Sequence, residues 1–402
     1  MKEPIAIINS MYPIGSTGQL ADELYKRAGA YDYEPYIFYG IGNEYENPNI
    51  IKIETQTERG FHKLGSMVFG NQGYYSSQAT KKVIHTLKEK GIHKVILMNL
   101  HGYYINEPML LNYLREKEIH TVYVTCDEYA GLGKCPYSYD CENFKTGCGN
   151  CPRLREYPKS FFFDRTEQIV QMKRRGYDNP NIVFAGPRVN IEKFKESYLL
   201  KDKHLEELDW GIDRSLYNPK GNTDVLKLYD IPENKILVLS VASYTDPRKG
   251  IRNFFFPAAK LLDKSKYHFI NVGFNGDEQE LQDLPNKTLI PYLSDQSQLK
   301  ELYAAADLFV VPSTYDTQPI TALISFACGT PVCCFKTSGL QYIGPDDSET
   351  VLFANRISVE VLAETIGKAK KKTKALSEAC RAYAEERYSI ETFCQSVFNL
   401  WR

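Results

Sequence analysis

The sequence predicts an α/β protein of two doubly wound domains, each a parallel sheet with helices on both faces. Short apolar runs alternate with longer helical patterns, which is the rhythm of β-α units. The rhythm occurs twice, once over about residues 1–200 and again from Ile236 to about 385. A length of 402 residues exceeds what one hydrophobic core supports and suits two domains.

Strands are expected at Ile5–Ile8, Val95–Asn99, Thr121–Thr125, Ile182–Phe184, Ile236–Val241, His268–Val272, Leu308–Val311 and Pro331–Phe335. Helical spacing predicts helices over Thr80–Lys90, Met109–Lys117, Gln296–Ala306 and Val359–Arg387. The first domain is expected over 1–208, with a cysteine-rich insert at 126–160, and the second over 209–385. Asp209 to Gly221 carries Gly, Asp, Asn and Pro, as a linker does. Segment 386–402 reads as a last helix, because Ile390, Phe393, Val397 and Leu400 recur at helical spacing. The basic run Lys368 to Lys374 falls within a helical pattern and reads as a solvated face.

Hydrophobic residues make up 43% and charged residues 25%, values of a well-cored globular chain. The net charge of −1 speaks against a nucleic-acid partner, which calls for a basic excess. No run of 18 apolar residues exists to span a membrane. Met1 to Ser10 reads as a strand and not as a signal peptide, so a cytoplasmic location is expected. Ten cysteines in that compartment suit thiols or metal ligands better than disulfides.

Ligands of open parallel sheets bind beyond the carboxyl ends of the strands. Two such edges suit a reaction between a donor and an acceptor. After the strand Ile236–Val241 come Ser243, Arg248 and Lys249, then Gly250 opening a helix. Cations at a helix N-terminus fit a diphosphate, whose charge they stabilise as a leaving group. After Leu308–Val311 come Asp316, Thr317, Gln318, Pro319 and Thr321, a loop offering hydroxyls and backbone donors to phosphate or sugar. Near the start, Gly15 and Gly18 bracket a small-residue turn that lets backbone approach a ligand.

Lys249-Gly250, the loop holding Asp316, and Ala327 to Val332 resemble the C-terminal domain of retaining family-4-type glycosyltransferases. That resemblance implies the GT-B fold, two Rossmann-like domains facing each other across a cleft, and a nucleotide-sugar donor. Asp316 matches the acidic residue that the family places by the donor sugar. Ile324 stands where the family has the Glu that holds the ribose, and Tyr244 and Ser243 stand where an Arg often lies. The turn at Gly15–Gly18 is similar to the family's N-terminal loop against the ligand.

His101-Gly102-Tyr103, the four cysteines and Tyr157-Pro158-Lys159-Ser160 resemble a subgroup that builds bacterial surface polysaccharides of the colanic-acid or capsule type. In that subgroup a His-Asp ends a strand; here Cys126-Asp127 takes its place. The resemblance implies that His101, Tyr103 and Asp127 line the acceptor side. It also implies a glycan or lipid-linked acceptor, with peripheral contact at the inner membrane face. In this architecture the last helix commonly crosses back onto the N-terminal domain.

Cys135, Cys141, Cys148 and Cys151 follow the spacing C-x5-C-x6-C-x2-C. Four thiolates ending in a C-x2-C knuckle suit a closed, structural zinc site. Disulfides and free thiols remain open alternatives. No catalytic metal is expected, since side-chain cations and helix dipoles supply the electrostatics. The expected function is retaining glycosyl transfer, with Lys249, Arg248, Asp316 and His101 in the chemistry. The alternative is a GT-B-fold binding or partner subunit, motivated by Cys126, Ser243 and Ile324.

Overall fold

The computed structural model describes residues 2–219, 224–346 and 348–401. The chain divides into two compact units, Met1–Asp209 with Glu391–Arg402, and Trp210–Ile390. Lys220 and Gly221 of the expected linker lie outside the described residues.

The first unit is built on seven strands: β1 (Glu3–Met11), β2 (Tyr33–Ile41), β3 (Ile50–Lys52), β4 (Lys94–Leu97), β5 (His120–Val124), β6 (Ile182–Gly186) and β7 (His204–Glu207). They lie in the order β3-β2-β1-β4-β5-β6-β7, all pairs parallel. The second unit has β8 (Ile236–Val241), β9 (Tyr267–Val272), β10 (Lys287–Ile290), β11 (Leu308–Val311), β12 (Val332–Phe335) and β13 (Val351–Ala354). Their order is β10-β9-β8-β11-β12-β13, again parallel throughout.

The central strands are continuous apolar runs because helices cover both faces of the sheet. Ile5, Ala6, Ile7 and Ile8 are each 0% exposed. One core gathers around β1, β4 and β6, and a separate one around β8, β9 and β11. In each sheet the winding reverses once, between β1 and β4 and between β8 and β11. Ligand crevices open at such reversals.

Five strands escaped the sequence reading. Four of them, β3, β7, β10 and β13, are the edges of the two sheets. Three of these edges, β3, β7 and β10, are short and carry Lys, His, Glu or Thr, so they lack an apolar run, while β13 is apolar but only four residues long. The fifth, β2, lies inside the sheet, but Pro35 near its start reads as a break.

The expected helix Val359–Arg387 is two helices, Val359–Ile366 and Lys374–Arg387. The basic run between them is not a solvated helix face. Lys372 turns inward, its Nζ donating to Thr330 Oγ1 and to Ala304 O at 2.7 Å each. Its backbone N–H donates to Asp307 Oδ1 at 2.8 Å, and Lys371 pairs with the same carboxylate at 3.0 Å. Burial pulls the Lys372 ammonium down to about 8. These lysines anchor the helix Lys374–Arg387 to the end of the helix Gln296–Ala305.

The helix Ile390–Asn399 groups with the first unit from Glu391 onward. Phe398 packs 4.8 Å from the Tyr31 ring and 5.4 Å from Tyr33. Where the chain enters and leaves the second unit, its two passes are hydrogen-bonded. Ile212 N–H donates to Tyr388 O at 2.8 Å, and Ile390 N–H to Ile212 O at 3.3 Å. Among the described residues no helix is long and apolar enough to cross a membrane.

Candidate functional site

In the second unit, the loops after β8 and β11 meet at the reversal of the sheet. The first brings Arg248 and Lys249, the second Asp316. Lys249 Nζ lies 2.7 Å from Asp316 Oδ2, and Arg248 NH1 lies 3.2 Å from the same oxygen. Arg248 also donates to Tyr315 O at 3.0 Å, and Thr314 N–H donates to Arg248 O at 3.0 Å. Burial opposes charge on Asp316, but Lys249 and Arg248 outweigh it and hold the carboxyl below its ordinary range. Asp316 Oδ1 accepts from Thr317 N–H at 3.1 Å.

Two glycines permit this approach. Gly250 has φ +72°, and a Cβ there would sit 2.0 Å from Pro312 O. A Cβ on Gly339 would sit 1.6 Å from Thr317 O. The third loop, after β12, closes on Asp316 as well. Gly339 N–H donates to Asp316 O at 2.8 Å, and Ser338 Oγ accepts from Asp316 N–H at 3.0 Å.

The other donor-side residues divide. Thr321 opens the helix Ile320–Ala327 and shares a small cavity with Lys249, Ser240 and Ser313. Thr317 is buried, and Pro319 caps the same helix. Gln318 Oε1 accepts from Trp210 N–H at 2.7 Å, so its carbonyl is committed to the backbone. Ser243 bonds Asn275 Oδ1 at 3.2 Å on the flank of the loop. Ile324 is buried at 5% exposure. The helix after Gly250 starts as a π turn, Ile251–Phe255, before its α segment Phe256–Lys260.

In the first unit, Gly15 to Gly18 do not form an open loop. They are the first turn of the helix Gly15–Arg27, following Pro13 and Ile14. Gly18 is buried, and a Cβ there would crowd Met11 O at 3.2 Å.

His101 and Tyr103 follow β4, and Asp127 follows the neighbouring β5. His101 Nε2 lies 2.7 Å from Asp127 Oδ2, and its Nδ1 lies 3.1 Å from the Tyr157 hydroxyl. Both ring nitrogens are therefore engaged. Asp127 Oδ1 accepts from Tyr129 N–H at 2.9 Å. Tyr103, with φ +64°, packs 6.0 Å from Tyr157, and its hydroxyl meets the Lys159 backbone. Thus His101, Asp127, Tyr103 and Tyr157 form one cluster.

The cluster continues through residues that the sequence did not single out. The His62 ring lies 5.7 Å from Tyr103. Its Nδ1 is 2.7 Å from Ser76 Oγ, which also bonds the Glu54 carboxylate. Burial pushes the His62 imidazole down to about 3 and the Glu54 carboxyl up to about 7. A capping box of Thr55 and Glu58 starts the helix Gln56–Phe69 nearby.

The insert after Asp127 is held by polar side chains. Glu128, 0% exposed, pairs with Lys193 at 3.0 Å and accepts from Ser138 N–H at 2.7 Å. Lys134 Nζ donates to the carbonyls of Arg153, Glu156 and Pro158 at 3.1, 3.0 and 2.8 Å. Asp164 accepts from Cys151 N–H at 2.6 Å. All four cysteines carry free thiols and line one cavity, with Cys135 hydrogen-bonded to Cys151. Among the described residues, no three His, Cys, Asp or Glu side chains are gathered closely enough to hold a metal ion.

Two parallel-sheet Rossmann-like units of this topology define a GT-B fold. Residues 222–387, within the second unit, match the family model described as Glycosyl transferases group 1. The mannosylfructose-phosphate synthase of Agrobacterium fabrum is 25% identical over 233 residues, 54% of this chain and 51% of its own length. The colanic acid biosynthesis glycosyl transferase WcaC of Escherichia coli is 33% identical over 81 residues, 19% of this chain and 20% of its own. The N,N'-diacetylbacillosaminyl-diphospho-undecaprenol alpha-1,3-N-acetylgalactosaminyltransferase of Campylobacter jejuni is 26% identical over 187 residues, 46% of this chain and 44% of its own. The chain thus spans about half or less of the length of these relatives. Among solved structures, the sucrose-phosphate synthase of Thermosynechococcus elongatus superposes with a TM-score of 0.71 at 16% identity, over 100% of this chain and 98% of that one. Anabaena Alr3699/HepE, in complex with UDP-glucose, gives a TM-score of 0.64 at 14% identity, over 98% of each.

Proposed function

We propose that the chain is a retaining glycosyltransferase of the family-4 type, using a nucleotide-sugar to extend a glycan or lipid-linked glycan in surface-polysaccharide synthesis. The observation that carries this reading is the cluster of Arg248, Lys249 and Asp316 at the β8–β11 reversal. Two cations share one carboxylate there. An incoming diphosphate takes up part of that positive charge, and Lys249 and Arg248 then stabilise it as the sugar bond breaks. Asp316 holds both cations and the Thr317 backbone in register for the sugar and its phosphate. The UDP-glucose bound by the HepE structure supports a nucleotide-sugar as donor.

On this reading the second unit binds the donor, with Thr321 and the Thr317–Pro319 loop around it. Residues 1–208 serve the acceptor, through His101, Tyr103 and Asp127, with Gly15 and Gly18 beside them. The insert 126–160 shapes that side. The scheme asks for no catalytic metal, and it places the enzyme in the cytoplasm with peripheral contact at the inner membrane face. We further propose that Cys135, Cys141, Cys148 and Cys151 close on a structural zinc ion. Their shared cavity and four-thiol chemistry support it, and the site requires the thiols to draw together. Zinc content near one per chain, lost on serine substitution of Cys148, is the expected result. The partner-subunit alternative is not favoured, because the matched relatives are named as synthases and transferases.

The test is Lys249→Ala with calorimetry against a panel of nucleoside diphosphates. The wild type should bind one of them, and the variant should keep its fold while turnover collapses. Near-wild-type turnover in the variant would overturn the role of Lys249. Failure of every diphosphate to bind the wild type would overturn the donor reading.

A further inference from the structure

Two charged side chains lie fully buried beside the His101 cluster and take no part in the chemistry proposed above. Glu107 and Lys173 are each 0% exposed. Glu107 opens the helix Glu107–Glu116, and Lys173 sits in the helix Thr166–Gly176. Burying such charges is costly, and apolar replacements of similar volume often leave a fold as stable. Their placement therefore calls for an account other than stability. The helix start does not supply one. Its cap is Asn106, whose Oδ1 accepts from Met109 N–H at 3.0 Å, and the Glu107 N–H donates to Gly73 O at 2.8 Å.

Both side chains converge on Tyr129, itself 1% exposed. The Tyr129 hydroxyl donates to Glu107 Oε1. Lys173 Nζ donates to Tyr129 O at 2.6 Å and lies 3.4 Å from the centre of its ring, where the π face attracts a cation. The same ammonium donates to Leu132 O at 3.0 Å, so it clamps the turn Tyr129–Gly131 at both ends. Burial raises the Glu107 carboxyl, opposed first by Lys173 and then by Tyr129 and His101. All four groups thus share one electrostatic neighbourhood.

Tyr129 in turn touches both members of the His101–Asp127 pair. Its N–H donates to Asp127 Oδ1 at 2.9 Å, and its ring packs 5.1 Å from the His101 ring. The second Asp127 oxygen meets His101 Nε2 at 2.7 Å. A carboxylate only accepts, so Nε2 carries the proton, and Nδ1 is left to accept from the Tyr157 hydroxyl at 3.1 Å. The direction of the Asp127 carboxylate, and with it the plane and tautomer of the imidazole, depends on where Tyr129 is held.

We propose that Glu107 and Lys173 are positioning residues for His101. They fix Tyr129 at its hydroxyl, ring and carbonyl, and Tyr129 fixes the carboxylate that orients the imidazole. That His101 then meets an acceptor rests on the function proposed above; the positioning itself does not.

The experiment reads the His101 ring directly, by nitrogen NMR of the full chain carrying isotope-labelled histidine, with His101 assigned by its loss in His101→Gln. The wild type should show a single tautomer with Nε2 protonated and Nδ1 bare. Tyr129→Phe deletes only the bond to Glu107, and Lys173→Met deletes the clamp on the turn. Each should mix the tautomers and move the two nitrogen signals toward each other. Glu107→Gln keeps an oxygen that accepts from Tyr129 and should keep the wild-type pattern. In transfer assays Tyr129→Phe should lower kcat/KM for the acceptor by about five- to tenfold, with KM for the nucleotide-sugar unmoved. Tyr129→Phe combined with Asp127→Asn should be no worse than Asp127→Asn alone, because the tyrosine acts through that carboxylate. Unchanged His101 nitrogens in Tyr129→Phe overturn the proposal, as do losses that multiply in the double variant. A mixed imidazole in Tyr129→Phe, with no transfer by the wild type from any nucleotide-sugar, keeps the positioning and sinks the function; the reverse pattern sinks the positioning alone.

Discussion

The two sheet edges hold their functional groups in opposite ways. At the edge of the second unit, two cations crowd one buried carboxylate, and a second carboxylate, Asp246, lies 3.9 Å from Arg248. At the edge of the first, His101 is fixed at both nitrogens among three tyrosines. The first arrangement can exchange a counter-ion for a charged ligand. The second can hold a shape against which a neutral hydroxyl-rich molecule stacks and bonds. The contrast is what the proposed function uses, with a diphosphate at one edge and a sugar at the other.

The largest effect that would break this contrast is at Lys249. Lys249→Ala should lower transfer by about 10²–10³-fold, the scale of losing one preorganised charge-stabilising donor. Release of nucleoside diphosphate during turnover measures it. Next comes Gly250→Ala. The left-handed backbone and the contact with Pro312 O make any side chain there costly, by roughly 2–4 kcal/mol. Thermal melts should show a second-unit transition displaced downward while the first unit's is unmoved.

A milder change sharpens the role of the other edge. Asp127→Asn removes the carboxylate from His101 Nε2, and should lower kcat/KM for acceptor by about tenfold. On the proposed function nucleoside-diphosphate affinity should not move, because Lys249 and Asp316 belong to the other unit. The smallest expected effect concerns His62. Its folded pKa near 3 lies below the ordinary 6.5, so the unfolded chain binds the extra proton between those values. His62 therefore contributes stability above about pH 6.5 that is lost as pH falls toward 3. His62→Gln should flatten that acid slope relative to wild type in denaturant titrations at several pH values.

Much of the fold was legible because central strands of parallel sheets are unbroken apolar runs. The Ile5–Ile8 run shows this, and so does Ile236–Val241, which matches its strand at both ends. The edges were not legible, since β7 and β10 gain their strand character only from a neighbour. Lys249 and Asp316 could be read because each follows a strand end by a few residues. Glu54, His62 and Ser76 could not. They meet through a helix packed back on its own sheet, and no spacing in the sequence announces that. Gly15–Gly18 misled for a related reason. A run of small residues suits an open loop and a closely packed first helical turn equally well, and only contact with Met11 decides between them.

The second unit is nested in the first: the chain leaves one body at Asp209 and returns to it at Glu391, with the two crossings paired through Ile212 and Tyr388. Synthesis from the ribosome is one-directional, so this nesting imposes an order of assembly. The inner body can fold as soon as residue 390 has emerged. The outer body must wait, with Tyr31 and Tyr33 uncovered, until Phe398 and Trp401 arrive to shield them. Up to residue 390 the first unit is thus the unfinished half, while the second can already be complete.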